Sequence, residues 1–441
     1  MRWRIVTYDL LVNRKESFST YDENIACHVS KALNINIDDW VKETKNGKAI
    51  WKLDITSPCR ISNVDTLPAK VQRQLSSIMK RLQGNLIAAI WEWNPELIII
   101  DEAHKLKNKK AKRTISVANL HHESRRCMLL TGTPLRNHYS EGESLLSILD
   151  PKLSSTNMSK EDIIEYFVAV MIRRNKSDVL PELPPKILQK IDIVPQGLEA
   201  SIYLIEYYKS IEYAHDAYNK AIAKGRSEAR ARQAMLGGIS RARQALGLAK
   251  IADGTIADIV EDIAEQKSCA LVFVAHHSVA DGLRRQLAER GLNVVQVDGR
   301  TSQENRAMAT ESLQSGSAQV FIGTINAAGE SITLTRADTV VFVEFDWVPA
   351  ALFQAEDRGH RVGQTSPHYH IIHVIAKISG PNLDKTMLFA IDNKVKNINS
   401  VLNQCNSSGS EEIRKLKEIR GNVYDQVANE ILRNRLTTDG R

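Results

Sequence analysis

Five short apolar runs sit in the second half of the chain: A-L-V-F-V at 270–274, V-V-Q-V at 294–297, V-F-I at 320–322, T-V-V-F-V at 339–343 and H-I-I-H-V at 370–374. β-branched and aromatic residues crowd them, and most are apolar on both faces, which suits strands covered on both sides. Helix-length amphipathic text separates them. That alternation calls for an α/β unit with a doubly wound parallel sheet. A second unit precedes it, with runs at Arg4–Tyr8, Leu97–Ile100 and Cys127–Leu130.

A length of 441 residues is too great for one ordinary domain. Hydrophobic content of 43% and charged content of 25% are those of a globular protein. A net charge of +7 favours a polyanionic partner. Cys27, Cys59, Cys127, Cys269 and Cys405 are scattered with no C-x-x-C pair, which fits neither a disulfide framework nor a zinc site and points to a reducing compartment. No run approaches a membrane span or a signal peptide, so a soluble intracellular protein is expected.

Pro181-Glu182-Leu183-Pro184-Pro185 cannot be helical and reads as a connector. Residues 197–250 read as helical, and 220–250 hold eight Lys or Arg against one Glu. A solvated helix face is the plain reading. Contact with a phosphate backbone, through Arg241 and Arg243 among others, is the functional one. Asn403–Ser410 reads as a linker to a charged helix over 411–436. The expected division is 1–150, with an insertion at about 13–90; then 151–255 for connector and helical insertion; then 256–402; then 403–441.

Three strings carry chemistry. Leu97–Ile100 runs directly into Asp101-Glu102-Ala103-His104. Two adjacent acids at a strand end can divide two tasks, one ordering a magnesium ion on nucleotide phosphates and the other activating water. Thr131-Gly132-Thr133-Pro134 makes a turn at the next strand's carboxyl end, where open α/β sheets bind ligands. In Q-A-E-D-R-G-H-R-V-G-Q at 354–364, Arg358 and Arg361 are three apart, as on one helical face, and can present guanidiniums to a triphosphate. By composition alone that stretch would be a surface ion-pair helix. His368, His370 and His373 alternate along a strand in a way that divides them between its faces, which argues against a metal site.

Together these strings resemble the Swi/Snf family of helicase-like, DNA-translocating ATPases. The resemblance also covers T-Y-D-L-L at 7–11, D-E-A-H-K-L-K-N at 101–108, L-T-G-T-P-L-R-N at 130–137, I-R-R-N-K-S-D-V-L-P-E-L-P-P-K at 172–186 and A-A-G-E-S-I-T-L-T-R-A-D at 327–338. L-V-F-V-A-H-H at 271–277 leans toward the annealing-helicase (HARP-like) branch and its bacterial and phage relatives.

The resemblance implies two RecA-like lobes with ATP and Mg2+ between them and double-stranded or branched DNA across both. It makes Asp101 the magnesium holder, Glu102 the general base, and Arg358 and Arg361 the arginine fingers. His104, Gly132, Thr133, Gly329 and Gln354 would lie at the nucleotide, with Thr131 coupling hydrolysis to movement. Tyr8, Lys107 and Thr324 would lie near DNA. Ser331 and Val348 depart from residues common in the family. A nucleoid, an infected host cell or a nucleus would be the setting.

The family also needs G-x-x-x-x-G-K-S/T to cradle phosphates. No such string occurs; Asn46-Gly47-Lys48-Ala49 is the nearest and lacks the hydroxyl. The expectation is a first lobe that lacks its opening strands, with the loop before residue 1 or on a separate polypeptide. Trp40, Trp51, Trp91 and Trp93 in and beside the insertion read as core rather than as a binding face. A non-hydrolysing DNA-binding module and a remnant of a broken gene are the competing readings.

Overall fold

The computed structural model describes residues 16–20, 41–45, 48–55, 71, 95–123, 126–135, 139–155, 158–174, 176–267, 269–328, 332–404, 428 and 431–432. The expected strand at Arg4–Tyr8, most of the expected helix over 411–436, and Tyr8, Trp40, Trp91, Trp93, Gly329 and Ser331 lie outside these residues. The chain divides into two compact units, residues 1–135 with 139–169, and 136–138 with 170–441. The segment expected as connector and insertion is thus shared: its part up to 169 belongs to the first unit and the rest to the second.

In the first unit, β1 (Glu16–Thr20), β2 (Val41–Lys45) and β3 (Lys48–Ile55) form an antiparallel sheet in the order β1-β3-β2. The register pairs Lys45 with Lys48, so β2 and β3 are joined through Asn46-Gly47. Asn-Gly is the dipeptide that two-residue hairpins favour. β4 (Leu97–Ile100) and β5 (Arg126–Leu129) pair in parallel, Leu97 against Arg126 through Ile100 against Leu129. Helices α1 (Lys112–Glu123), α2 (Glu141–Leu149) and α3 (Lys160–Val170) accompany them. Ile98, Ile100, Cys127 and Leu129 pack on Val117, Leu120, Leu145 and Ile148.

In the second unit the elements run β6 (Lys186–Ile193), α4 (Gly197–Ala223), α5 (Glu228–Ala234), α6 (Leu236–Ile251), α7 (Thr255–Lys267), β7 (Ala270–Val274), α8 (His277–Glu289) and β8 (Val294–Val297). They continue with α9 (Gln303–Ser315), β9 (Val320–Thr324), β10 (Thr339–Phe342), α10 (Pro349–Glu356), β11 (Tyr369–Ala376) and α11 (Leu383–Gln404). The six strands form a parallel sheet in the order β6-β11-β10-β7-β9-β8. Strand alternation divides the core in two. Leu271, Phe273, Phe321, Val340 and Phe342 pack with residues of α4, α6, α9 and α11, while Ala270, Val272, Val274, Ile322 and Val341 pack with α7 and α8. The architecture is α/β with parallel sheets and a helical insertion, the class read from the sequence. The last helix corrects one boundary: α11 continues to Gln404, into the stretch expected as linker.

α4 and α6 touch closely, because a Cβ on Gly238 would stand 2.7 Å from Ala214 Cβ. Their basic run is not one exposed face. Lys250 is 0% exposed, and its Nζ donates to Asp384 Oδ2 at 2.9 Å, to Val374 O at 3.2 Å and to Val343 O. Among the described residues, no helix is long and apolar enough to cross a membrane.

Candidate active site

β4 and β5 deliver the first two motifs side by side. Leu130 N–H donates to Ile100 O at 2.8 Å and Ala103 N–H donates to Leu130 O at 2.9 Å. The pairing thus continues past the strands and sets D-E-A-H against T-G-T-P. Glu102 adopts left-handed backbone, φ 48° and ψ 44°, alone among the described non-glycine residues. That conformation costs an L-residue about 1–2 kcal/mol, and such outliers gather at functional sites. Asp101 is exposed, and its Oδ1 accepts the Glu102 N–H at 2.8 Å.

His104 is 2% exposed and ties the motifs together. Its Nδ1 lies 3.1 Å from Glu102 Oε2 and 3.1 Å from Thr131 Oγ1. Thr131 Oγ1 also accepts the Thr133 N–H at 3.1 Å. Thr133 Oγ1 is buried and has no hydrogen-bond partner among the described residues. Gly132 is exposed at the tip of the turn. Lys107 pairs with Glu141 at 3.2 Å, a surface contact of small energy.

This donor set bears on magnesium. Among the described residues, no group of three or more His, Cys, Asp or Glu could hold a metal. Magnesium, however, usually binds through one or two carboxylates together with substrate phosphates, and Asp101 at the strand end fits that mode.

In the second unit the arginines stand differently from the sequence expectation. α10 ends at Glu356, so Arg358 and Arg361 lie on successive turns beyond it and not on a helical face. Gly359 and Gly363 lie in these turns. A Cβ at Gly359 would stand 2.5 Å from Tyr369 Oη, and Gly363 has φ +100°. The arginines still converge. Arg358 Nη1 donates to Ile332 O at 3.3 Å and Arg361 Nη1 to Thr333 Oγ1 at 3.2 Å, while Leu334 N–H donates to Arg358 O at 2.8 Å. Gln354 is half-buried in the last turn of α10.

Of the residues expected near DNA, Thr324 ends β9 and is buried. Arg241 is exposed, its guanidinium 4.2 Å from the Tyr213 ring centre. Arg243 is half-buried. Its guanidinium donates to Phe345 O and stacks 4.5 Å from the Trp347 ring centre. Burial lowers its pKa, against the opposing pull of Glu344, Asp346 and Asp384. Besides Arg241, the exposed basic groups of the run are Lys220, Lys224, Arg226 and Arg230, where α4 turns into α5.

His373 lies with its ring 5.6 Å from Phe342 and 5.3 Å from Phe345. Burial, with Lys190 adding to it, pushes its pKa down to about 4. An unfolded chain takes up this proton near pH 6.5, so the unit should lose up to about 3 kcal/mol as pH falls from 6.5 to 4, with no further loss from this group below that. Acid unfolding of His373→Phe should show a shallower slope across that window. Equal slopes would remove His373 as the cause.

The model of the SNF2-related domain matches residues 36–247, and that of the helicase conserved C-terminal domain matches residues 254–363. The SWI/SNF-related matrix-associated actin-dependent regulator of chromatin subfamily A-like protein 1 of Xenopus tropicalis is 31% identical over 309 residues, 64% of this chain and 31% of that protein. The human DNA annealing helicase and endonuclease ZRANB3 is 28% identical over 346 residues, 72% of this chain and 31% of that protein. The SWI2/SNF2 ATPase core of Sulfolobus solfataricus in complex with dsDNA is similar at 21% identity and a TM-score of 0.38, over 74% of this chain and 73% of that one. This chain spans about a third of the length of these two curated relatives, 31% of each.

The chain is therefore a helicase-like α/β protein. It belongs to the Swi/Snf family of superfamily 2, and its similarity to the annealing helicases is the expected one. These curated relatives are eukaryotic and lend no support to a bacterial or phage origin. The T-Y-D-L-L string lies outside the span matched by the SNF2-related model.

Proposed function

We propose that the chain is the motor portion of an ATP-dependent DNA translocase that acts on duplex or branched DNA in replication, repair or recombination. The observation that supports this most is the junction of D-E-A-H and T-G-T-P at the ends of paired parallel strands, with His104 between Glu102 and Thr131. In this reading Asp101 orients the nucleotide's magnesium, which when bound neutralises developing phosphate charge. Glu102 takes the proton of the attacking water. Arg358 and Arg361 stabilise transition-state charge, and Gln354, Gly329, Gly132 and Thr133 line the nucleotide. Lys107, Thr324 and Tyr8 lie along DNA. The phosphate cradle comes from a P-loop outside the 441 residues, since no G-x-x-x-x-G-K-S/T occurs among them.

The second reading, a DNA-binding module that recruits a partner without hydrolysis, is favoured by that same missing string. Both readings need DNA binding. The turn between α4 and α5, with Lys224, Arg226 and Arg230, supplies phosphate contacts in both. Affinity for duplex DNA should fall steeply with salt, and replacing these three residues by alanine should reduce the log–log slope by about 2–3, near 0.9 for each phosphate no longer neutralised. An unchanged slope would remove this turn from the DNA surface. Absence of DNA binding at low salt would overturn both readings.

A further inference from the structure

The turn that carries the arginines is fastened from an unexpected side. Glu356, at the end of α10, is buried, and Lys186 Nζ stands 2.8 Å from its Oε2. The same Nζ stands 3.2 Å from Asp357 Oδ1, while Lys176 Nζ lies 2.7 Å from Asp357 Oδ2. His360 Nε2–H donates to Pro184 O at 2.8 Å. Tyr369 N–H donates to Pro185 O at 3.0 Å, and Tyr369 O–H donates to Glu356 O at 3.0 Å. Every partner on one side comes from the segment 176–186, or from the β11 residue paired with its end. Every partner on the other side comes from 356–360, the residues flanking Arg358.

We propose that Lys186, assisted by Lys176, is a positioning residue that holds the Arg358 turn by clamping Glu356 and Asp357 to the connector. Glu356 is a buried carboxylate, and burial lifts its pKa, partly offset by Lys186. Burial works against the charge of Lys186, but Glu356 and Asp357 outweigh it and raise its pKa. The pair is thus mutually dependent, and losing one partner leaves the other exposed to the full cost of burial. Arg358 follows the turn because its own carbonyl is fixed by Leu334 N–H. The residues 170–186 by which the chain enters the second unit therefore set where the guanidinium sits. Chain displacement at the connector moves Arg358 without any contact to nucleotide.

This inference rests on the ATPase reading for its consequence, but not for its test. The full chain is treated with phenylglyoxal, and modification of Arg358 is followed by mass spectrometry for wild type, Lys186→Met, Lys186→Arg and the swap Lys186→Glu with Glu356→Lys. Thermal midpoints are recorded beside them. Arg358 modification should rise about tenfold in Lys186→Met, as restraint by a charge pair is lost. It should stay near wild type in Lys186→Arg and fall back in the swap. An unchanged rate in a folded Lys186→Met protein overturns the proposal. So does an equal rise in all three variants, which would mean general loosening. In protein that has been given a P-loop segment, Lys186→Met should lower kcat with KM for ATP unchanged, and a change in KM alone overturns the positioning role. Absence of turnover in that wild-type protein would instead count against the ATPase reading and leave the labelling result standing.

Discussion

Arg358→Ala should lower ATP turnover by about 10³–10⁵-fold in a preparation supplied with a P-loop segment, the range seen when an arginine finger is lost. In the proposed finger role the guanidinium stabilises charge that appears only in the transition state, so ATP binding should change far less than kcat. The geometry supports assigning this role to Arg358. Its side chain is oriented by Ile332 O, and its backbone carbonyl by Leu334 N–H. Arg358→Lys should rescue little, because a compact ammonium cannot reproduce the planar fork. Initial-rate kinetics with the alanine and lysine variants check this, and equal kcat in wild type and Arg358→Ala would exclude the finger role.

Asp384→Ala should be the most damaging single change to the second unit's stability. The substitution leaves the Lys250 ammonium, 0% exposed, with the carbonyls of Val343 and Val374 and the face of the Phe345 ring but no counter-charge at hydrogen-bond distance. It also deprives Ala376 N–H of the acceptor that Asp384 Oδ2 provides at 3.0 Å. Breaking a buried pair by removing one partner costs about 3–5 kcal/mol, a fall of about 10 °C in melting midpoint for a unit of this size. Lys250→Met with Asp384→Leu, which removes both charges, should recover most of the loss. Calorimetry on the three proteins tests this. A double variant no better than Asp384→Ala would mean that packing, not charge, sets the cost.

Much of this architecture could be read from the sequence because parallel strands announce themselves. β7 and β8 fall where their apolar runs stand, and β9, β10 and β11 differ from theirs by one or two residues at an end. β6 did not, since K-I-L-Q-K-I-D-I mixes charge through an edge strand and follows two prolines. The β2–β3 pairing has a sequence signal of its own, since Asn-Gly between two strands favours a two-residue hairpin. The arginines misled in a different way: Q-A-E-D-R has helical composition, but Gly359 is required by the nearness of Tyr369, a residue of a strand that begins ten positions later.

Charge counting also has a physical limit. The run 220–250 looks uniformly basic in one dimension, yet Lys250 faces Asp384 in the core and Arg243 faces Trp347. Which side of a helix a cation occupies depends on partners far along the chain. His104 shows the same on a smaller scale, since its bridge to Thr131 spans 27 residues and exists only because β4 and β5 pair.

The most direct test of the account is ATP hydrolysis by the purified 441-residue chain, with and without duplex and forked DNA, measured beside Glu102→Gln. The account predicts DNA binding with no turnover above the Glu102→Gln control until a P-loop segment is supplied, and DNA-stimulated turnover afterwards. Turnover by the chain alone that DNA stimulates and Glu102→Gln abolishes would contradict it, and would mean that these residues hold a phosphate site of their own.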